Sequence, residues 1–323
     1  MSRRSGSIAG TIALAGSLLL TQRVLARPVP VVPAVVLQGG KSVAFALCPR
    51  GADERSACAS ALAAAPSNQR SIDRLLVEGA HAERFVLFLS GYRTSFAQGL
   101  LEAGRIAQLL GPRFFVVYVD WGSHGKLYDY EGDARAAKRD VAPFADFVTA
   151  LRRKAGARSL DVYAYSMGTR VVAGAMATVR SPLAGEPVID QAVLAAPDLT
   201  LNDYRVAITR QPIPFRHVTM YASRADRALL LSSIIHLHHR LGQMTGGRIA
   251  LQHTDVVDAS AADRSTVGHG YPVHDARVIC DVAAVFLDRV IPHPAWLRSR
   301  GVWTLDVERV HPPSDGLPCR ETT

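Results

Sequence analysis

Leu160-Asp161-Val162-Tyr163-Ala164-Tyr165-Ser166-Met167-Gly168 runs from an apolar stretch straight into a helical pattern, and its reading decides the fold. Residues 160–165 have the composition of a central strand covered on both faces. Residues 167–179 then repeat apolar side chains at helical spacing. Between them stands Ser166, flanked at two residues' distance by the small Ala164 and Gly168. A serine on a sharp strand-to-helix turn, usually written G-x-S-x-G, presents its hydroxyl as a nucleophile, and small neighbours let the strained turn pack. Ala164 replaces the first glycine and meets the same steric need. A serine that merely caps a helix is the plainer reading of the motif alone. The strand–turn–helix context favours the nucleophile.

Working outward, residues 85–89 and 114–119 read as buried strands, with a helix over 95–110 that stops at Gly111-Pro112. A second long helix is expected over 133–155. Further strands are expected at 189–195, 217–221 and 254–257, each followed by helical segments, and a last helix over 274–290. Residues 27–36, rich in Pro and Val, read as an extended linker, 41–47 as an early strand, and the tail from 291 to 323 as a surface strap. Residues 27–79 thus form an N-terminal extension and 80–290 a single domain. Alternating strands and helices predict a doubly wound, mostly parallel sheet with helices on both faces.

Ligands of such sheets bind beyond the carboxyl ends of the strands. A serine nucleophile there needs a base and an acid, in the chain order Ser, Asp or Glu, His of the α/β-hydrolase fold. Asp226, in Ala222-Ser223-Arg224-Ala225-Asp226, follows one strand, and His269, in Gly268-His269-Gly270-Tyr271, follows the last. Asp198, one strand earlier, is the rival acid, and His274, assigned to a helix start, the rival base. The oxyanion donors are expected to be the backbone N–H groups of Met167 and of Tyr92, in Ser90-Gly91-Tyr92-Arg93. Phe96, Trp121, Tyr128 and Tyr130 are candidates for an apolar substrate pocket, against ordinary packing as the alternative. His236, His238 and His239 read as a helix face rather than a metal site, since no second ligand group stands at helical spacing.

The 323 residues are 48% apolar, a globular composition. The net charge of +9 comes from scattered arginines with no nucleic-acid motif, so nucleic acid is not an expected partner. Arg3 and Arg4 followed by an apolar run over 8–20 have the anatomy of an export signal, ending near Ala26. The chain is expected to be periplasmic or secreted, or held at a membrane if the signal stays uncleaved. Of four cysteines, Cys48 and Cys58 bracket a short loop suited to a disulfide. A Cys280–Cys319 bridge would pin the tail, the alternative being a buried free thiol at Cys280.

Ser90-Gly91-Tyr92, Asp120-Trp121-Gly122-Ser123, the 164–168 turn, Ala195-Ala196-Pro197-Asp198, Asp226-Arg227-Ala228-Leu229 and Gly268-His269-Gly270-Tyr271 occur in this order. Together they resemble the bacterial α/β-hydrolases catalogued as a domain of unknown function, DUF900, over roughly residues 80–290. The resemblance implies esterase- or lipase-like character with a triad at Ser166, Asp226 and His269. Two departures bear on substrate preference and turnover: Ser90 and Tyr165 each stand where family members usually carry histidine. The expected activity is cleavage of a carboxylic ester, or less readily an amide or thioester, without metal or organic cofactor. A catalytically idle binding protein of the same fold, or a membrane-tethered envelope protein, is the alternative.

Overall fold

The computed structural model describes residues 30–38, 44–48, 68–126, 128–156, 158–209, 214–244, 253–262, 267–287, 295–299, 302–310, 318 and 319. The expected export signal and Cys58 lie outside them. Among the described residues no helix is long and apolar enough to cross a membrane.

Ten strands form one sheet: β1 (Ala34–Gln38), β2 (Ala44–Cys48), β3 (Arg84–Leu89), β4 (Phe114–Asp120), β5 (Ser159–Tyr165), β6 (Ile189–Ala195), β7 (Phe215–Ala222), β8 (Thr254–Asp258), β9 (Trp296–Ser299) and β10 (Val302–Leu305). Their spatial order is β2-β1-β4-β3-β5-β6-β7-β8-β10-β9. All pairs are parallel except β1 with β2 and β9 with β10 at the two edges. This is the α/β-hydrolase fold.

The helices are α1 (Asn68–Glu78), α2 (Phe96–Leu110), α3 (Tyr130–Arg139), α4 (Val141–Ala155), α5 (Gly168–Met176), α6 (Leu201–Ile208), α7 (Arg227–His236), α8 (Tyr271–His274) and α9 (Ala276–Leu287). Side chains alternate across each strand, so Phe85, Leu87 and Leu89 join the core under α1, α4, α5 and α6. Val86 and Phe88 face the opposite core, under α2, α8 and α9. Both faces are therefore covered, which is why the central strands are apolar without interruption.

Several expectations need correction. The helix expected over 133–155 is two, α3 and α4, divided at Asp140, whose φ of −92° and ψ of 4° leave the helical region. Pro143 has no N–H to offer the carbonyl of Arg139, which would have continued the ladder. The expected last helix is likewise two, parted by the extended Asp275, and His274 closes the first of them instead of opening a helix. The presumed linker contributes β1, and the presumed strap contributes β9 and β10, so the sheet extends on both sides of 80–290. Cys319 is bonded to Cys280, with Cα atoms 5.3 Å apart, which ties the tail to α9.

Candidate active site

The turn after β5 holds Ser166 at φ 51°, a left-handed backbone that costs a non-glycine residue energy. The surroundings hold it there: the Ser166 N–H donates to the Ala195 carbonyl at 2.9 Å, and its own carbonyl accepts Thr169 Oγ1 at 2.5 Å. The hydroxyl is directed at His269, with Oγ and Nε2 2.9 Å apart. On the far side of the ring, Nδ1 lies 2.6 Å from Asp226 Oδ2. A carboxylate accepts only, so a proton on Nδ1 points to Asp226, and Nε2 is the ring nitrogen that faces the serine hydroxyl. Asp226 is buried and its other oxygen caps α7 by accepting the Leu229 N–H at 2.8 Å. Ser166, His269 and Asp226 thus form one continuous hydrogen-bonded chain.

His269 follows β8 in the chain, and the residue just before it is tightly seated. Gly268 has φ 69°, and a Cβ there would sit 2.0 Å from the Ala225 carbonyl oxygen, so this position excludes any side chain. Tyr165, the last residue of β5, donates its hydroxyl to the His269 carbonyl at 3.0 Å and sets its ring 5.2 Å from the imidazole. The serine turn and the His269 loop are therefore joined twice, by the Tyr165 hydroxyl on the His269 carbonyl and by the Ser166–His269 contact.

The turn after β3 abuts the serine. A Cβ on Gly91 would lie 3.0 Å from the Ser166 Cβ, which brings the Tyr92 backbone to the same corner as Met167. Asp133 holds this corner and was not singled out from sequence. Fully buried, it accepts the Arg93 N–H at 3.0 Å, the His124 N–H at 2.7 Å and the Ser123 hydroxyl at 2.6 Å. Its position in the first turn of α3 was the available signal, but such acids ordinarily serve the helix end. Ser90, buried beneath, bonds Tyr118 at 3.2 Å, and its carbonyl accepts the Trp121 indole N–H at 2.8 Å.

The rival acid, Asp198, does not reach His269. Its oxygens are taken by Arg170 (3.0 Å), Arg240 (3.0 Å), Tyr130 (2.6 Å) and Ser232 (3.1 Å). Burial beside this carboxylate pushes the Tyr130 phenol above its ordinary range. The four pocket candidates are not gathered into one lining. Trp121 and Phe96 are packed in the interior, Tyr130 belongs to the Asp198 network, and Tyr128 stands 95% exposed. Aromatic residues near a strand end in sequence do not share a direction in space, which explains the difference. The three-histidine run is also not a single helix face. The helix ends at His236, which stacks on Tyr130, and Leu237 turns left-handed, leaving His238 and His239 beyond it.

Residues 64–285 match the family model described as an alpha/beta hydrolase of unknown function (DUF900). Among solved structures, the chain is similar to a lipase-esterase related protein from Clostridium acetobutylicum ATCC 824, at 12% identity and a TM-score of 0.37, covering 65% of this chain and 95% of that one. It is similar to an acetyl xylan esterase in an iodinated complex, at 10% identity and a TM-score of 0.35, covering 64% and 97%. A Trichoderma reesei cutinase in complex with a phosphonate inhibitor gives 15% identity and a TM-score of 0.30, covering 71% and 94%. No match was found among curated protein sequences.

Proposed function

We propose that this chain, which belongs to the DUF900 family of α/β-hydrolases, cleaves carboxylic esters with Ser166 as nucleophile, His269 as general base and acid, and Asp226 as the orienting acid. The observation that carries the reading is the pair of hydrogen bonds on either side of His269, 2.9 Å to Ser166 and 2.6 Å to Asp226. His269 Nε2 takes the hydroxyl proton as Oγ bonds to the acyl carbon, and the carbonyl π electrons move onto oxygen. The N–H groups of Met167 and Tyr92 receive that oxyanion. Collapse breaks the ester C–O bond, the imidazolium returns its proton to the departing alcohol, and an acyl-Ser166 remains. Water, deprotonated by the same imidazole, then releases the acid and restores the serine. Asp226 keeps the Nδ1 proton in place and stabilises the imidazolium each time it forms.

The ester reading is supported by a site that meets the needs of acyl transfer with its own side chains and backbone. Action outside the cytoplasm, in the periplasm or medium, is part of the same proposal and rests on the N-terminal sequence pattern. The test is hydrolysis of short p-nitrophenyl esters by the parent and by Ser166→Ala. Loss of about 10⁴-fold or more in kcat with an unchanged unfolding midpoint is expected. Near-parental turnover by Ser166→Ala would remove the proposed mechanism.

A further inference from the structure

Helix α7 begins directly after Asp226 and carries large aliphatic side chains on its solvent side as well as on its packed side. Its inward side carries Leu229, which is buried, and Ser232, which bonds Asp198. Its outward side carries Leu230, Leu231, Ile234 and Ile235, exposed by 46%, 59%, 61% and 63%. Residues four apart on a helix are neighbours, so 230 with 234 and 231 with 235 make a continuous aliphatic strip. A surface helix ordinarily turns its apolar stripe to the core and its polar face to solvent; this one turns four aliphatic side chains outward. Val267, 52% exposed, lengthens the strip, since its carbonyl accepts the Arg227 N–H at 2.9 Å. Two residues later comes His269. The strip therefore borders the loop that carries the base.

Two properties select the kind of partner. The strip offers no hydrogen-bonding group to read a polar surface, because Ser233, the hydroxyl nearest it, donates back to the Leu230 carbonyl at 2.8 Å. Its ends carry positive or protonatable groups: exposed Arg227 at the start, and exposed His238 and His239 beyond the finish, in a groove shared with Lys138. Residues 227–240 contain no acidic side chain. Glu131, 3.9 Å from His236, approaches this end, and Asp203 lines the same groove. An aliphatic strip with Arg227 at one end and Lys138 by the other, on a chain of net charge +9, is complementary to a hydrocarbon layer under anionic headgroups.

We propose that the outer face of α7 docks this protein on an anionic lipid surface, so that the Ser166 site opens towards esters held in that surface. The docking stands on exposure and charge; the identity of the substrate as a lipid ester rests on the hydrolase reading above. Leu230, Leu231, Ile234 and Ile235 would enter the acyl boundary, while Arg227 and the groove cations stay at headgroup level.

The test uses the full chain carrying Ser166→Ala, so that docking is measured without turnover. Sedimentation with phosphatidylcholine vesicles containing about one-third phosphatidylglycerol should give binding about tenfold or more tighter than with phosphatidylcholine alone. Adding Leu231→Glu and Ile235→Glu should weaken binding to the anionic vesicles about 100-fold, with the unfolding midpoint in buffer unchanged. The milder pair Leu231→Ser and Ile235→Ser serves if the glutamates lower that midpoint. Equal binding by the parent and a folded variant would overturn the proposal, as would no binding to either vesicle. So would a dimer in solution that these substitutions split, because the strip would then be covered by a second copy. Absent docking would leave Ser166 chemistry intact, whereas an unreactive Ser166 would leave docking intact.

Discussion

Asp198 and Asp226 follow the adjacent strands β6 and β7 at the same edge of the sheet, and both are almost wholly buried. Asp198 is surrounded by donors, two of them guanidinium groups at 3.0 Å. Asp226 meets no arginine among the described ion pairs; its partners are the His269 ring and the Leu229 N–H. An acid neutralised by two arginines has little negative potential left for an imidazolium. An acid with a backbone N–H and an imidazole keeps its charge directed at the ring. Burial and position after a strand are common to both, so they do not distinguish an acid paired with an imidazole from one held by arginines. The partners do.

Asp226→Asn strikes the comparison hardest. The amide cannot hold the Nδ1 proton as a carboxylate does, and kcat on a short ester should fall by about 10⁴-fold, with little change in KM. Asp198→Asn should do the reverse. It leaves Arg170 and Arg240 beside a neutral amide and should lower stability by about 3 kcal/mol, read by chemical denaturation, while kcat stays within about tenfold. Exchanged severities would make Asp198 the catalytic partner and overturn the assignment.

Glu102 sharpens the contrast as a buried acid with neither kind of support. One of its oxygens has no hydrogen-bond partner among the described residues, and burial, opposed by Arg105, pushes its carboxyl up to about 7. The folded chain therefore holds this proton more tightly than the unfolded chain, whose ordinary value is 4.5. Stability falls as pH rises from 4.5 towards 7 and the cost is complete above that. Glu102→Gln should gain about 2–3 kcal/mol at about pH 8 and little at about pH 4, by denaturation at both values. An equal gain at both would show that its ionisation is not the cause. The smallest effect is expected at Tyr165→Phe, which removes one hydrogen bond to the His269 carbonyl. A loss of about 0.5–1.5 kcal/mol is expected, seen as a several-fold lower kcat at constant KM.

The parts legible in sequence were those with one dominant physical cause. Residues 189–195 read as a strand and form β6 with those bounds, because a strand covered on both faces must be apolar throughout. Ser166, Asp226 and His269 stood out because each follows a strand at one edge. Less legible were features set by distant partners. β1 looked like linker because the prolines before it mask a short Ala-Val-Val-Leu-Gln run that pairs with β4. β9 and β10, four residues each, carry too little pattern of their own and are recruited by β8. Asp133 acts through Arg93, Ser123 and His124, none adjacent to it in sequence. The four aromatic candidates sit apart for the same reason, since residue type near a strand end does not fix direction.

The central claim is that Ser166 is an activated nucleophile, and covalent labelling tests it most directly. A fluorophosphonate probe should attach to the folded parent, and peptide mapping should place the phosphonate on Ser166. Labelling should be absent from Ser166→Ala and much slower in Asp226→Asn, but near-parental in rate in Asp198→Asn. An unlabelled parent, or a phosphonate on another residue that persists in Ser166→Ala, would contradict the account.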